Sequence, residues 1–97
     1  MRVWYFVLFV SLPVLAGQPQ TTQCTRGDSI RVIEVVYPDG GELPCEVRYT
    51  RDGEQQVVWR ARNEAGYCEQ KAADFVAKQR GWGYQCTLLT QSREVTN

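Results

Sequence analysis

Hydrophobic positions change their rhythm three times along this chain. Val3 to Ala16 is apolar at every position except Ser11, a run of fourteen residues. That is shorter than the roughly 20 residues of a membrane-crossing helix and matches the core of an export signal. Met1 and Arg2 give the run a positive start, Pro13 breaks it near its end, and Val14-Leu15-Ala16 favours a cut after Ala16. Residues 1–16 are therefore expected to be a signal peptide, 17–23 a flexible polar N-terminus, 24–90 a single domain and 91–97 a disordered tail.

The second rhythm is that of strands. Ile30 to Tyr37 is rich in β-branched residues and apolar on both faces, which predicts a central strand ended by Pro38-Asp39-Gly40-Gly41. Cys45 to Thr50 alternates with Cys45, Val47 and Tyr49 inward; Val57 to Arg62 alternates with Val57, Trp59 and Ala61 inward. These two segments make a hairpin whose parity constrains its turn. A two-residue Asp52-Gly53 turn sets Val47 against Val58 and puts the apolar sets on opposite faces. A three-residue turn over Arg51-Asp52-Gly53 pairs Val47 with Val57 and Cys45 with Trp59, and is the turn expected.

The third rhythm is helical. Cys68, Ala72, Phe75, Val76 and Gln79 fall on one stripe, with Glu69, Gln70, Lys71, Asp74 and Lys78 away from it. Asn63 is the expected cap, Asp74 and Lys78 an expected i,i+4 pair, and Gly81 the expected stop. Tyr84 to Leu89 predicts a last strand.

The fold expected is thus α+β: a small β-β-β-α-β domain, an antiparallel hairpin sheet with one helix packed on it. Counting directions, the last strand runs parallel to the first and third, and a right-handed crossover sets it beside the first. Cys24 and Cys86 then lie at one end of the sheet, Cys45 and Cys68 at the other. Bridges Cys24–Cys86 and Cys45–Cys68 are expected, since the other two connectivities join opposite ends.

The cysteine separations of 21, 23 and 18 residues, with no histidine anywhere, do not suit zinc, and no C-x-x-C is present for redox work. An exported chain of this size needs such bridges, because its core alone supplies only about 3–5 kcal/mol. No metal and no cofactor are expected. The 11 basic residues balance 11 acidic ones, and loss of Arg2 with the leader leaves 10 against 11. Such a balance speaks against nucleic acid as a partner, and no second apolar run offers stable membrane insertion after cleavage.

Catalytic equipment is sparse. Without histidine a nucleophile needs lysine or carboxylate as its base, and Lys71 and Lys78 lie on the helix face away from the stripe. Arg48, Arg60 and Arg62 project from the hairpin face opposite Val47 and Trp59, a modestly basic stripe for an anionic partner. Trp82, beside Gly83, offers an aromatic contact. Arg26-Gly27-Asp28 resembles the tripeptide that integrins read on a displayed loop.

The segments Pro44-Cys45-Glu46-Val47-Arg48-Tyr49, Trp59-Arg60-Ala61-Arg62-Asn63-Glu64, Gly66-Tyr67-Cys68-Glu69 and Gly81-Trp82-Gly83-Tyr84-Gln85-Cys86 resemble small exported proteins of Gram-negative bacteria. The resemblance implies a periplasmic home and carries over no functional residue. The cystine-tied sheet is also similar in design to periplasmic lysozyme inhibitors. The function expected is a periplasmic or secreted non-enzymatic binding module, an inhibitor or envelope accessory protein, using Arg48, Arg60, Arg62 and Trp82 on a protein or envelope polymer. The alternatives are a small hydrolase of envelope polymers and an adhesion ligand acting through Arg26-Gly27-Asp28.

Overall fold

The computed structural model describes residues 19–91, with side chains through residue 89. The expected export segment and the tail beyond residue 91 lie outside the described residues. Five strands and one helix follow in the order β1 (Gln20–Arg26), β2 (Ser29–Val36), β3 (Cys45–Arg51), β4 (Glu54–Ala61), α1 (Tyr67–Gly81) and β5 (Gln85–Gln91). They form one antiparallel sheet, ordered β4-β3-β2-β1-β5, with α1 laid across all five strands on one face. The domain is α+β, and β2 is central as its two-sided apolar pattern requires.

The strand absent from the β-β-β-α-β expectation is β1. Its sequence, Gln-Thr-Thr-Gln-Cys-Thr-Arg, is too polar to show an alternation, and residues 20–23 fall within a stretch expected to be loose. The stretch is strand because it is sandwiched: β2 pairs it on one side and β5 on the other, so its backbone groups find partners along both edges. The direction expected for the last strand is right, but its neighbour is β1, antiparallel, and not β2. No parallel crossover is formed.

The β3–β4 turn also differs from expectation. It is the two-residue Asp52-Gly53 turn, with φ of 54° and 83°, pairing Arg51 with Glu54. Positive φ at both positions is what a tight hairpin needs to match strand twist, and Asp-Gly supplies it. The parity conflict is removed by a bulge: Arg48 pairs with Val57 and Val47 with Trp59, leaving Val58 as an extra residue. Trp59 and Ala61 therefore return to the covered face as expected, while Val57 does not and stays exposed.

Helix α1 begins at Tyr67, after Gly66 in the left-handed region and without a side-chain cap, so Asn63 is not its cap. Its stop is Gly83 and not Gly81: Tyr84 N–H donates to Gln79 O and Gly83 N–H to Arg80 O, a paired closure that needs the positive φ of Gly83. The inward stripe is as expected, with Cys68, Ala72 and Gln79 buried and Phe75 and Val76 half-buried. Asp74 accepts from Gln70 Nε2 at 3.0 Å and makes no ion pair with Lys78.

The buried core is Cys24, Ile33, Val35, Cys45, Val47, Cys68, Ala72 and Tyr84, three of them half-cystines. Phe75 closes one side, edge-on to Tyr49 at 4.7 Å and to Trp59 at 5.6 Å between ring centres. So small a core leaves stability dependent on covalent ties, and both expected bridges are present. Cys24–Cys86 joins directly paired residues of β1 and β5, and Cys45–Cys68 ties the start of β3 to the first turn of α1.

Candidate functional site

The arginine stripe is partly consumed by its own sheet. Glu46, Arg48 and Arg60 lie on the face away from α1, where Glu46 pairs with Arg60 across β3–β4. Arg48 donates from Nε and Nη2 to Glu46 Oε1 at 3.1 and 2.9 Å, and Arg60 Nη2 stands 3.7 Å from Oε2. Glu34, opposite Arg48 on β2, accepts from Gln55 Nε2 at 3.1 Å. Arg48 is thus a strut of the sheet, held by a chelating contact to a carboxylate that is only 17% exposed.

Arg60 and Arg62 are both exposed and line an open cleft of about 510 Å³ with Pro38, Asp39, Pro44, Glu46 and Asn63. One wall is the β2–β3 connection and the other the end of β4. Cys45, bridged to Cys68 of α1, lies among its lining residues at the start of β3. Among the described residues Arg62 has no carboxylate within 4 Å, which leaves its guanidinium available to a ligand.

Trp82 is elsewhere. It follows α1 at the end of the sheet where β1 and β3 finish, while Arg60 and Arg62 sit at the opposite end, about 20 Å away by the rise of β3. The four expected contact residues therefore do not form one site. Trp82 is 55% exposed and borders a second, smaller hollow of about 200 Å³, whose other walls are Arg26, Arg31, Tyr49, Arg51, Gln79 and Tyr84.

That second hollow was not legible as a site in the sequence. Arg26 reaches it from β1, with Nη1 donating to Trp82 O and its guanidinium 4.8 Å from the centre of the Tyr84 ring. Arg31 reaches the same ring from β2, at 5.5 Å. Arg26 is thus turned back onto the body of the protein, with Gly27 and Asp28 at the tip of the β1–β2 hairpin. The hint in the sequence is charge: Arg26, Arg31 and Arg51 fall at the end of the sheet where β1 and β3 finish, which is meaningful once β1 is a strand.

At the Cys45–Cys68 end of the sheet Tyr37 donates its hydroxyl to Glu69 Oε2, and Glu69 Oε1 is buried without a partner. Burial first, then this hydrogen bond and the charges of Glu69 and Glu42, push the Tyr37 hydroxyl well above the ordinary tyrosine range. No grouping of three or more metal-ligating side chains occurs among the described residues.

Comparison with protein-family models, with curated proteins and with solved structures returned no significant match. Two disulfides with no free thiol among the cysteines indicate an oxidising, extracytoplasmic environment. No helix among the described residues is long and apolar enough to cross a membrane.

Proposed function

We propose that the protein is a non-enzymatic binding module of the periplasm or the secreted space, as the segments around its cysteines suggest by resemblance. It captures an acidic loop of a protein partner in the cleft between the β2–β3 connection and the end of β4. The observation that carries this is the pair Arg60 and Arg62, both exposed in a cleft lined also by the bridged Cys45, with Arg62 free of any internal carboxylate among the described residues. A planar guanidinium grips carboxylates with two parallel hydrogen bonds. Arg48 contributes indirectly, by engaging Oε1 of the Glu46 carboxylate that Arg60 otherwise has to itself.

The absence of histidine from the sequence and of free thiols among the cysteines supports binding over nucleophilic catalysis. The test is affinity capture and cross-linking from the native envelope with the oxidised protein. A partner held by wild type should be lost with Arg60→Glu plus Arg62→Glu and kept with Arg80→Glu at the far end. Capture unchanged by the double reversal, or turnover of peptidoglycan or esters by the pure protein, would overturn the proposal.

A further inference from the structure

The small hollow at the opposite end has too many donors for the acceptors the protein gives it. Arg26, Arg31 and Arg51 converge there from β1, β2 and β3, and each guanidinium carries five N–H groups. Arg26 uses one on Trp82 O. Arg31 has Ile30 O at 3.5 Å and Asp52 Oδ1 at 3.7 Å; Arg51 has Asp52 Oδ2 at 3.9 Å. Contacts of that length are at or beyond the limit of a hydrogen bond. Asp52 is 78% exposed, so water screens what it offers.

The cost of the arrangement is visible in the sheet. Arg31 and Arg51 are direct cross-strand partners, and both line the hollow. Like charges opposite one another destabilise a ladder. Arg31 keeps only 17% of its side chain exposed, so its charge is not simply displayed to solvent. An arrangement that lowers stability, with only one long and solvent-screened carboxylate contact set against it, is what a ligand site leaves behind when empty.

Gln79 supplies an independent sign. It is 1% exposed, on the buried stripe of α1, and lines the same hollow. Its Nε2 has only Tyr49 Oη at 3.5 Å, and its Oε1 has no partner. Turning the terminal amide over presents NH₂ to the hollow and lets Oε1 accept from the Tyr49 hydroxyl. An acceptor placed in the hollow thus relieves both the buried amide and the three arginines.

We infer that this hollow is a site for a tetrahedral oxyanion, a phosphate or sulfate group, bound by Arg26, Arg31, Arg51 and the Gln79 amide. A carboxylate is satisfied by one or two guanidinium forks, whereas three forks and an amide match an ion with four acceptor oxygens and charge near −2. A volume of about 200 Å³ admits such a group with little else attached. Trp82 at the rim can contact the rest of a phosphate or sulfate ester. The site stands apart from the Arg60–Arg62 cleft and does not depend on it.

The test is NMR titration of the oxidised, isotope-labelled full chain with inorganic phosphate, sulfate and a sugar phosphate monoester, against chloride at equal ionic strength. The Gln79 side-chain amide and the Gly83 N–H should shift saturably. Arg31→Gln should weaken the affinity at least tenfold and Arg51→Gln several-fold, while Arg62→Gln leaves it unchanged. Because it removes like-charge repulsion, Arg51→Gln should also melt higher than wild type in chloride alone. If the ester binds at least tenfold tighter than the free ion, and Trp82→Ala removes that advantage, the natural ligand is an ester; equal affinities identify the free ion. Shifts that do not saturate, or are unaffected by Arg31→Gln, overturn the site.

Discussion

Deleting Val58 should leave the fold intact. The β3–β4 ladder runs regularly from the Asp52-Gly53 turn to the Arg48–Val57 pair, then resumes one residue out of step at Val47–Trp59. Without Val58, Val57 still faces Arg48 and Trp59 still faces Val47, so every other pairing is kept and the bulge disappears. Val58 is half-buried against the core, and its loss costs about 1 kcal/mol. Against that, the chain no longer orders an extra residue, worth roughly 1–2 kcal/mol. The net change is within about 1 kcal/mol of zero. Had Val58 instead been needed to hold the strand, Trp59 and Ala61 would leave the covered face, and stability would fall by ~3–5 kcal/mol as for a lost core aromatic. Urea unfolding, with near-ultraviolet circular dichroism of the Trp59–Phe75 contact, separates the two. A loss above about 3 kcal/mol, or disappearance of the aromatic signal in the folded variant, would refute the parity reasoning.

The two bridges should differ in worth with the loops they close, 62 against 23 residues in sequence separation. Replacing Cys24 and Cys86 by alanine should cost roughly 4 kcal/mol and replacing Cys45 and Cys68 roughly 3 kcal/mol, by loop entropy. Urea midpoints of the two double variants check the order, and a clearly cheaper Cys24–Cys86 pair would contradict it. Tyr37 ties stability to alkaline pH. Its folded-state pKa is raised above the unfolded value near 10, so its contribution is fully present below about pH 10 and is lost as pH rises further. Tyr37→Phe should flatten that part of the stability curve, measured as unfolding midpoints between about pH 8 and 11.

Most of the sheet and the helix face were readable because they rest on short-range patterning. Val47, Trp59 and Ala61 face inward, and Cys68, Ala72 and Gln79 form the buried stripe, since each is fixed by period alone. The turn departs from the expected one for a definite reason. Asp-Gly carries the strongest short hairpin signal, but parity counts against it unless a bulge is allowed, and nothing local marks a bulge at Val58. Helix ends shifted likewise: Asn63 resembles a cap, yet the Cys45–Cys68 bridge and Gly66 set the start at Tyr67.

The larger omission, β1, hid a strand and a site together. Thr21, Thr22 and Thr25 are β-branched, but the strand they belong to has only Cys24 fully buried, because α1 covers little more than that position on it. Its stability comes from two neighbours and a cross-strand bridge, none of them encoded in its own hydrophobicity. The disulfide pairing is nonetheless legible in the sequence, since it needs only that Cys24 and Cys86 share an end of the sheet. The arginine convergence needs more. Arg26 meets Arg31 and Tyr84 only if residues 20–26 pair with β2 and carry the Arg26 side chain onto the face that α1 leaves open beyond Gly81. A polar strand, read as a loop, thereby converts three scattered arginines into one charged hollow, and its polarity is the reason that conversion is invisible before the fold is known.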